Sequence, residues 1–139
     1  MKAEILCVGT EILLGDIVNT NAVFLAQELA RMGISVYHQS VVGDNSQRLK
    51  SCLQHSLEQS DLVITTGGLG PTYDDLTKET VADLFGLEME LNEESMRDIR
   101  AYFEKLNRPM TDNNIKQAMI PKGAIILKNE NGTAPDLIV

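Results

Sequence analysis

Three short apolar runs punctuate the first half of the chain, at residues 3–8, 36–42 and 62–64. Each is continuous rather than alternating, the pattern of parallel strands covered on both faces. Between the first two, Val23, Ala26, Leu29 and Ala30 recur at helical spacing, with a cap at Asn19, Thr20 or Asn21 and a stop at Gly33. A second helix carries Leu49, Cys52, Leu53 and Leu57 on one face and is opened by Asp44 or Asn45. A third begins near Thr77, turns Val81, Leu84 and Phe85 inward and stops at Gly86. Beyond Leu91 the rhythm changes. Asn92 caps a helix with the stripe Met96, Ile99, Phe103 and Leu106, and a shorter helix is expected over 112–119. A turn at Pro121-Lys122-Gly123, a strand over 124–127, a loop over 129–135 and the strand-like 137–139 complete the chain. Alternating strands and helices predict an α/β fold, a three-layer α/β/α sandwich with a mostly parallel sheet.

At 139 residues and 43% hydrophobic content, the chain is about one domain long and can bury a single core. It stops directly after residues 137–139 without a covering helix, so the domain is expected to be incomplete at its C-terminus. An uncovered last strand favours self-association, and a homo-oligomer is expected. Twenty acidic against twelve basic residues give a net charge of −8, which argues against nucleic acid as a partner. No apolar stretch approaches the length of a bilayer span and the amino terminus has no signal-peptide pattern, so no membrane association and a cytoplasmic location are expected. Cys7 and Cys52 read as buried reduced thiols, and His38 and His55 add no zinc-ligand spacing.

The candidate chemistry gathers after the third strand, in Thr65-Thr66-Gly67-Gly68-Leu69-Gly70-Pro71-Thr72-Tyr73-Asp74-Asp75-Leu76-Thr77. Glycines leave backbone N–H groups unobstructed and allow positive φ, so such a turn can close around an anion at a helix N-terminus. The candidate ligand contacts are Thr66, Gly67, Gly68, Gly70, Pro71, Thr72 and Thr77, and the ligand class is a phosphorylated, nucleotide-like small molecule. It is not a Walker loop, because Pro71-Thr72 follows Gly70 and no lysine is there to meet a phosphate. Asp75 and Glu79, four apart, can share a face and a cation if both lie in the first helical turn, while capping explains Asp75 about equally well. Asp44 ends the second strand, and sheet logic brings that end beside the glycine loop. A carboxylate pair of Asp44 and Asp75, with Glu79, suits a divalent ion such as Mg²⁺ and activation of a water. Gly9, Thr10, Glu11 and Gly15 exit the first strand, and Asn19 and Asn21 offer groups for ribose or base edges, with capping as the competing role.

These motifs resemble the molybdopterin-binding-like domain at the front of the CinA family, the competence/damage-inducible proteins. The resemblance rests on residues 9–15, Asn19-Thr20-Asn21, Val42-Gly43-Asp44, Gly67 to Thr72 with Asp74 to Thr77, Asn114, Gln117-Ala118, Pro121 and Gly132-Thr133-Ala134-Pro135. It implies the fold of the molybdopterin adenylyltransferases, a glycine loop that holds ligand phosphates, functional roles for Asp44 and Asp75, and a metal-dependent ADP-ribose pyrophosphatase activity. Molybdopterin is a possible ligand on the same grounds. A non-catalytic pterin-binding, nucleotide-binding or assembly module is the alternative, and adenylyl transfer a second one. Leu69 stands where the cofactor-synthesis enzymes commonly have Thr, which favours the CinA branch. Asp136 stands where the family continues with Gly-Phe, and the downstream amidase domain is absent from this chain.

Overall fold

The computed structural model describes residues 1–139 and divides into two compact units, residues 1–68 and 69–139. In the first unit, β1 (Lys2–Val8), β2 (Ser35–Val42) and β3 (Leu62–Thr66) form a parallel sheet in the order β2-β1-β3. Alternation along β1 decides the layers. Ala3, Ile5 and Cys7 point to one face and pack with Ala22 and Leu29 of α2 (Thr20–Arg31). Glu4 points the other way, where Ser56 of α3 (Ser46–Gln59) donates to its Oε1 at 2.8 Å and Ser40 of β2 at 3.0 Å. A helix on each face of a parallel sheet gives the expected α/β/α arrangement. Full burial of Ile5 and Leu6 contributes about 1.5–3 kcal/mol each.

Two helix starts settle open alternatives. Asn19 caps α2 by accepting the Ala22 amide at 3.2 Å, and Asn45, not Asp44, caps α3 by accepting the Arg48 amide at 3.0 Å. The segment after β1, expected as a loop, contains the short helix α1 (Thr10–Leu14), closed by Gly15 in the left-handed region at φ 81°. Val23 is exposed, because the buried stripe of α2 runs through Ala22, Leu25, Ala26 and Leu29 instead.

The second unit comprises α4 (Thr77–Phe85), β4 (Met89–Leu91), α5 (Glu93–Lys105), a 3-10 turn (Asp112–Asn114), α6 (Ile115–Ala118), β5 (Met119–Pro121), β6 (Ile125–Leu127) and β7 (Asp136–Ile138). β4 pairs with β5 and β6 with β7, both antiparallel, so the parallel ladders belong to the first unit. Met96, Ile99 and Ala118 form a core with Phe103 and Met110 against it. Pro121, expected in a turn, ends the buried strand β5, and Lys122-Gly123 make the turn.

α4 departs furthest from its hydrophobic pattern. Phe85 is exposed, while Thr77, Lys78 and Thr80 are buried with Ala82. Cys7 is buried, Cys52 half-buried, and both are free thiols. No helix is long and apolar enough to cross a membrane.

Candidate functional site

The strand exits hold most of the candidate residues. In the first unit, Gly9 follows β1 and its amide donates to the Val42 carbonyl at 2.9 Å, which draws the end of β2 alongside. Asp44 lies just beyond. Its Oδ2 accepts the Thr10 amide at 3.0 Å and the Thr10 hydroxyl at 2.9 Å, and its own amide donates to Thr10 Oγ1 at 3.1 Å. The Glu11 carboxylate folds back over Gly9, where an added Cβ would stand 2.7 Å from Oε1. Asn21 donates to Thr66 Oγ1 at 3.0 Å, so two expected ligand contacts meet each other. Asn19 spends its side-chain oxygen on the α2 cap.

The glycine loop opens with a packing constraint. Gly67 has φ 95°, and a Cβ there would run into the Val8 carbonyl, so only glycine lets β3 leave the sheet past β1. Gly68 also takes a positive φ, of 65°.

In the second unit, Asp75 closes the remainder of the loop. Its Oδ2 accepts the Thr72 amide at 2.8 Å and the Thr72 hydroxyl, and the Gly70 amide also bonds to its carboxylate. A Cβ on Gly70 would stand 2.6 Å from Oδ2, which explains a glycine there without appeal to φ. The amides expected to hold a ligand phosphate therefore hold an internal carboxylate. Burial pushes the Asp75 carboxyl up, but the Thr72 hydroxyl, the Thr72 and Gly70 amides and the Lys116 ammonium outweigh it and leave its pKa below the ordinary 3.8. Asp75 is not the cap of α4, since that position belongs to Leu76. Thr77 is buried as the first residue of the helix, Asp74 and Tyr73 face solvent, and Pro71 is half-buried.

Two lysines escaped the sequence reading. Lys116 of α6 donates to the carbonyls of Thr72, at 2.8 Å, and Asp75, and lies 3.9 Å from Glu79 Oε1. Asp75 precedes the first turn of α4, and the ammonium between it and Glu79 is bonded to the Asp75 main-chain carbonyl rather than to its carboxylate. Lys78 of α4 donates to the carbonyls of Lys116, Gln117 and Met119 at 3.0, 2.9 and 2.9 Å. Burial pushes its pKa down to about 8, with Glu79 opposing and Lys116 adding to the shift. Nothing local in the sequence marks either lysine, because every partner except Glu79 is a main-chain carbonyl about forty residues away or at the far end of another helix.

A cavity of about 350 Å³ in the second unit is lined by Ser95, Asp98, Tyr102, Lys128, Thr133 and Pro135 among others, and by no residue of the 69–77 loop. Lys128 and Asp98 pair across 3.7 Å there, and Glu94, Lys105 and Glu130 also line it. The loop carries the stronger chemistry.

The family described as "Probable molybdopterin binding domain" matches residues 4–138. A competence-damage inducible protein of Clostridioides difficile strain 630 is 62% identical over the whole chain, which spans 33% of that protein, and one of Acetivibrio thermocellus is 57% identical over 34% of its length. The crystal structure of CinA from Thermoplasma acidophilum, a protein of unknown function, superposes with a TM-score of 0.88 at 37% identity, covering 98% of this chain and 79% of that one. The chain belongs to the CinA family. It spans about a third of the length of the curated relatives it matches. MoaB of Thermus thermophilus, a molybdopterin biosynthesis enzyme, shares the fold at a TM-score of 0.57 and 22% identity, covering 86% of this chain and 78% of its own.

The divalent metal that the CinA resemblance implies can be tested against the side chains. No group of three or more His, Cys, Asp or Glu is gathered, which does not suit an all-protein cage. Mg²⁺ commonly keeps several waters and takes one or two carboxylates plus ligand phosphates. Glu79 Oε2 is buried and has no hydrogen-bond partner, so an acceptor stands ready beside the loop. The donor set fits a hydrated ion of that kind.

Proposed function

We propose that this CinA-family domain binds a phosphorylated nucleotide and hydrolyses its phosphoanhydride with the help of a divalent metal, ADP-ribose being the substrate the family resemblance implies. The observation that supports it most is the fixed carboxylate of Asp75, ionised through most of the pH range and set on a glycine loop at the opening of α4. The helix N-terminus favours an anion there, and Glu79 supplies an unpaired oxygen for the ion. When bound, the metal would lower the pKa of an attacking water and offset phosphate charge. Asp75 and Glu79 would orient the ion; a functional role for Asp44 rests on the family resemblance alone. Release of AMP from ADP-ribose, measured with and without Mg²⁺ or Mn²⁺, tests the proposal. Metal-dependent release that Asp75→Asn abolishes in folded protein supports it, and no release from folded protein at any metal concentration overturns it.

A second reading, a nucleotide- or pterin-binding module without turnover, is favoured by one observation. The Gly70 and Thr72 amides already bind Asp75, so those two donors are occupied by an internal anion. A rise in thermal stability with ADP-ribose or molybdopterin, without product, selects it; a ligand at 100 times its Kd adds about 2.7 kcal/mol.

A further inference from the structure

The 70–77 segment has the shape of a phosphate-type loop but no lysine of its own. A carboxylate and a phosphate about 4 Å apart repel by roughly 4 kcal/mol at an effective dielectric near 20, more than a helix N-terminus returns. A cation in the right place therefore matters twice, for the shape of the loop and for its charge.

We propose that Lys116 is the positioning residue of this loop, a lysine supplied from α6 that clamps the two ends of the Thr72–Asp75 turn through their carbonyls and so fixes the Asp75 carboxylate on the Gly70 and Thr72 amides. The geometry supports a clamp and not a chance surface contact. Thr72 and Asp75 are locked in both directions, since the Asp75 amide donates to the Thr72 carbonyl at 3.3 Å while the Asp75 carboxylate accepts the Thr72 amide at 2.8 Å. Lys116 adds one bond to each of the two carbonyls, so its removal takes a donor from both ends of the turn at once and leaves the Thr72 carbonyl with the long Asp75 amide bond as its protein partner. Its side chain is only 25% exposed, and its own main-chain carbonyl is held by the buried Lys78 at 3.0 Å, which fixes the point from which it reaches. Glu79, at 3.9 Å, is close enough to balance the charge and too far to take the hydrogen bonds. Lys116 touches no reacting atom in this scheme. It acts through Asp75.

The catalytic consequence rests on the phosphoanhydride reading above, whereas the clamp itself does not, and the experiment separates them. Amide hydrogen exchange is followed residue by residue in the wild-type chain, Lys116→Met and Lys116→Arg, all without ligand. The expected result is loss of protection at Thr72 and Asp75 in Lys116→Met, unchanged protection in α5, and partial recovery in Lys116→Arg. Unchanged protection at Thr72 in a folded Lys116→Met overturns the proposal, whether or not the protein hydrolyses anything. Should Lys116→Met fail to fold, the side-chain ammonium of Lys116 in the wild type decides: hydrogen exchange slowed relative to exposed lysines such as Lys122 supports the clamp, and equal exchange refutes it. In the hydrolysis arm, Lys116→Met lowers kcat about a hundredfold, as expected for a misplaced catalytic group, and raises KM through loss of the charge; Lys116→Arg, which keeps the charge, restores KM and recovers kcat in part. A wild type without turnover would sink the hydrolase reading and leave the exchange result standing.

Discussion

In the first unit, the Asp44 carboxylate accepts the amide and the hydroxyl of Thr10 across 34 residues of sequence, and in the second, Asp75 accepts the same two groups of Thr72 across three. Both carboxylates face a threonine that sequence reasoning assigned to a ligand. Their settings differ. Asp44 joins the exits of two neighbouring strands, and Gly43 beside it leaves just enough room for the threonine, since a Cβ there would lie 3.2 Å from Thr10 Oγ1. Asp75 closes a turn on itself and needs Lys116 from outside to hold that turn's carbonyls. The same pair of hydrogen bonds is thus a fold tether in one place and a loop clasp in the other. Loss of the first should appear in global stability, loss of the second in local order and turnover.

Four variants can break or sharpen this contrast. The largest effect is expected where the second unit does depend on a distant contact. Lys78→Met removes a donor from three main-chain carbonyls, of which that of Lys116 keeps the Met119 amide, and at about 1–3 kcal/mol for each of the other two left without the ammonium, urea unfolding should register a loss of about 3 kcal/mol. The wild type should also grow more stable from pH 8 toward 10.5. In that window the unfolded chain keeps the Lys78 proton and the folded chain, with its pKa near 8, sheds it, so raising the pH favours folding. Lys78→Met should lack that rise.

Asp44→Ala comes next, because it removes an anionic acceptor shared by the amide and the hydroxyl of Thr10. A destabilisation of about 2 kcal/mol is expected, and a value near zero would mean that the main-chain bonds from Gly9 to Val42 and from the residue-44 amide to Thr10 Oγ1 hold the β1 and β2 exits without the carboxylate. Gly70→Ala should cost less, about 1 kcal/mol, since the obstructing atom belongs to a side chain that can swing away. Its turnover should fall further than its stability, and equal falls would count against a clasp.

The smallest effect is confined to acid. Asp75 has a depressed folded-state pKa, so its stabilising contribution is complete above the unfolded value of 3.8 and disappears as the pH falls through the folded one. Acid unfolding of Asp75→Asn beside the wild type should show curves that converge at the low end of that range. Curves that stay parallel would assign the stabilisation to something other than the ionised carboxylate.

Much of the first unit is legible in the sequence because its signals are local. The runs at β1 to β3 are continuous and apolar, Asn19 and Asn45 cap by short-range geometry, and Gly33 ends α2 where expected. α1 is missed because five residues bury too little to show a stripe. The second unit is harder to read. β4 and β5 are three residues each and find their partners by antiparallel pairing across a whole helix, which leaves no periodicity to detect. α4 misleads outright, since a buried lysine becomes tolerable only through carbonyls contributed by α6 and β5. At the candidate site, the residue types around Gly70 and Asp75 point to an anion-binding turn, but nothing in their spacing reveals that the turn's first anion is its own aspartate.

The reciprocal arrangement of the two lysines has a dynamic consequence. α4 reaches forward to hold the chain around α6, and α6 reaches back to hold the segment that leads into α4. Neither helix can fray far without loosening the other, so the short α6, which could not persist alone, inherits the lifetime of its longer partner. The two should open as a single event with one shared free energy, and the candidate loop should lose its form in the same motion.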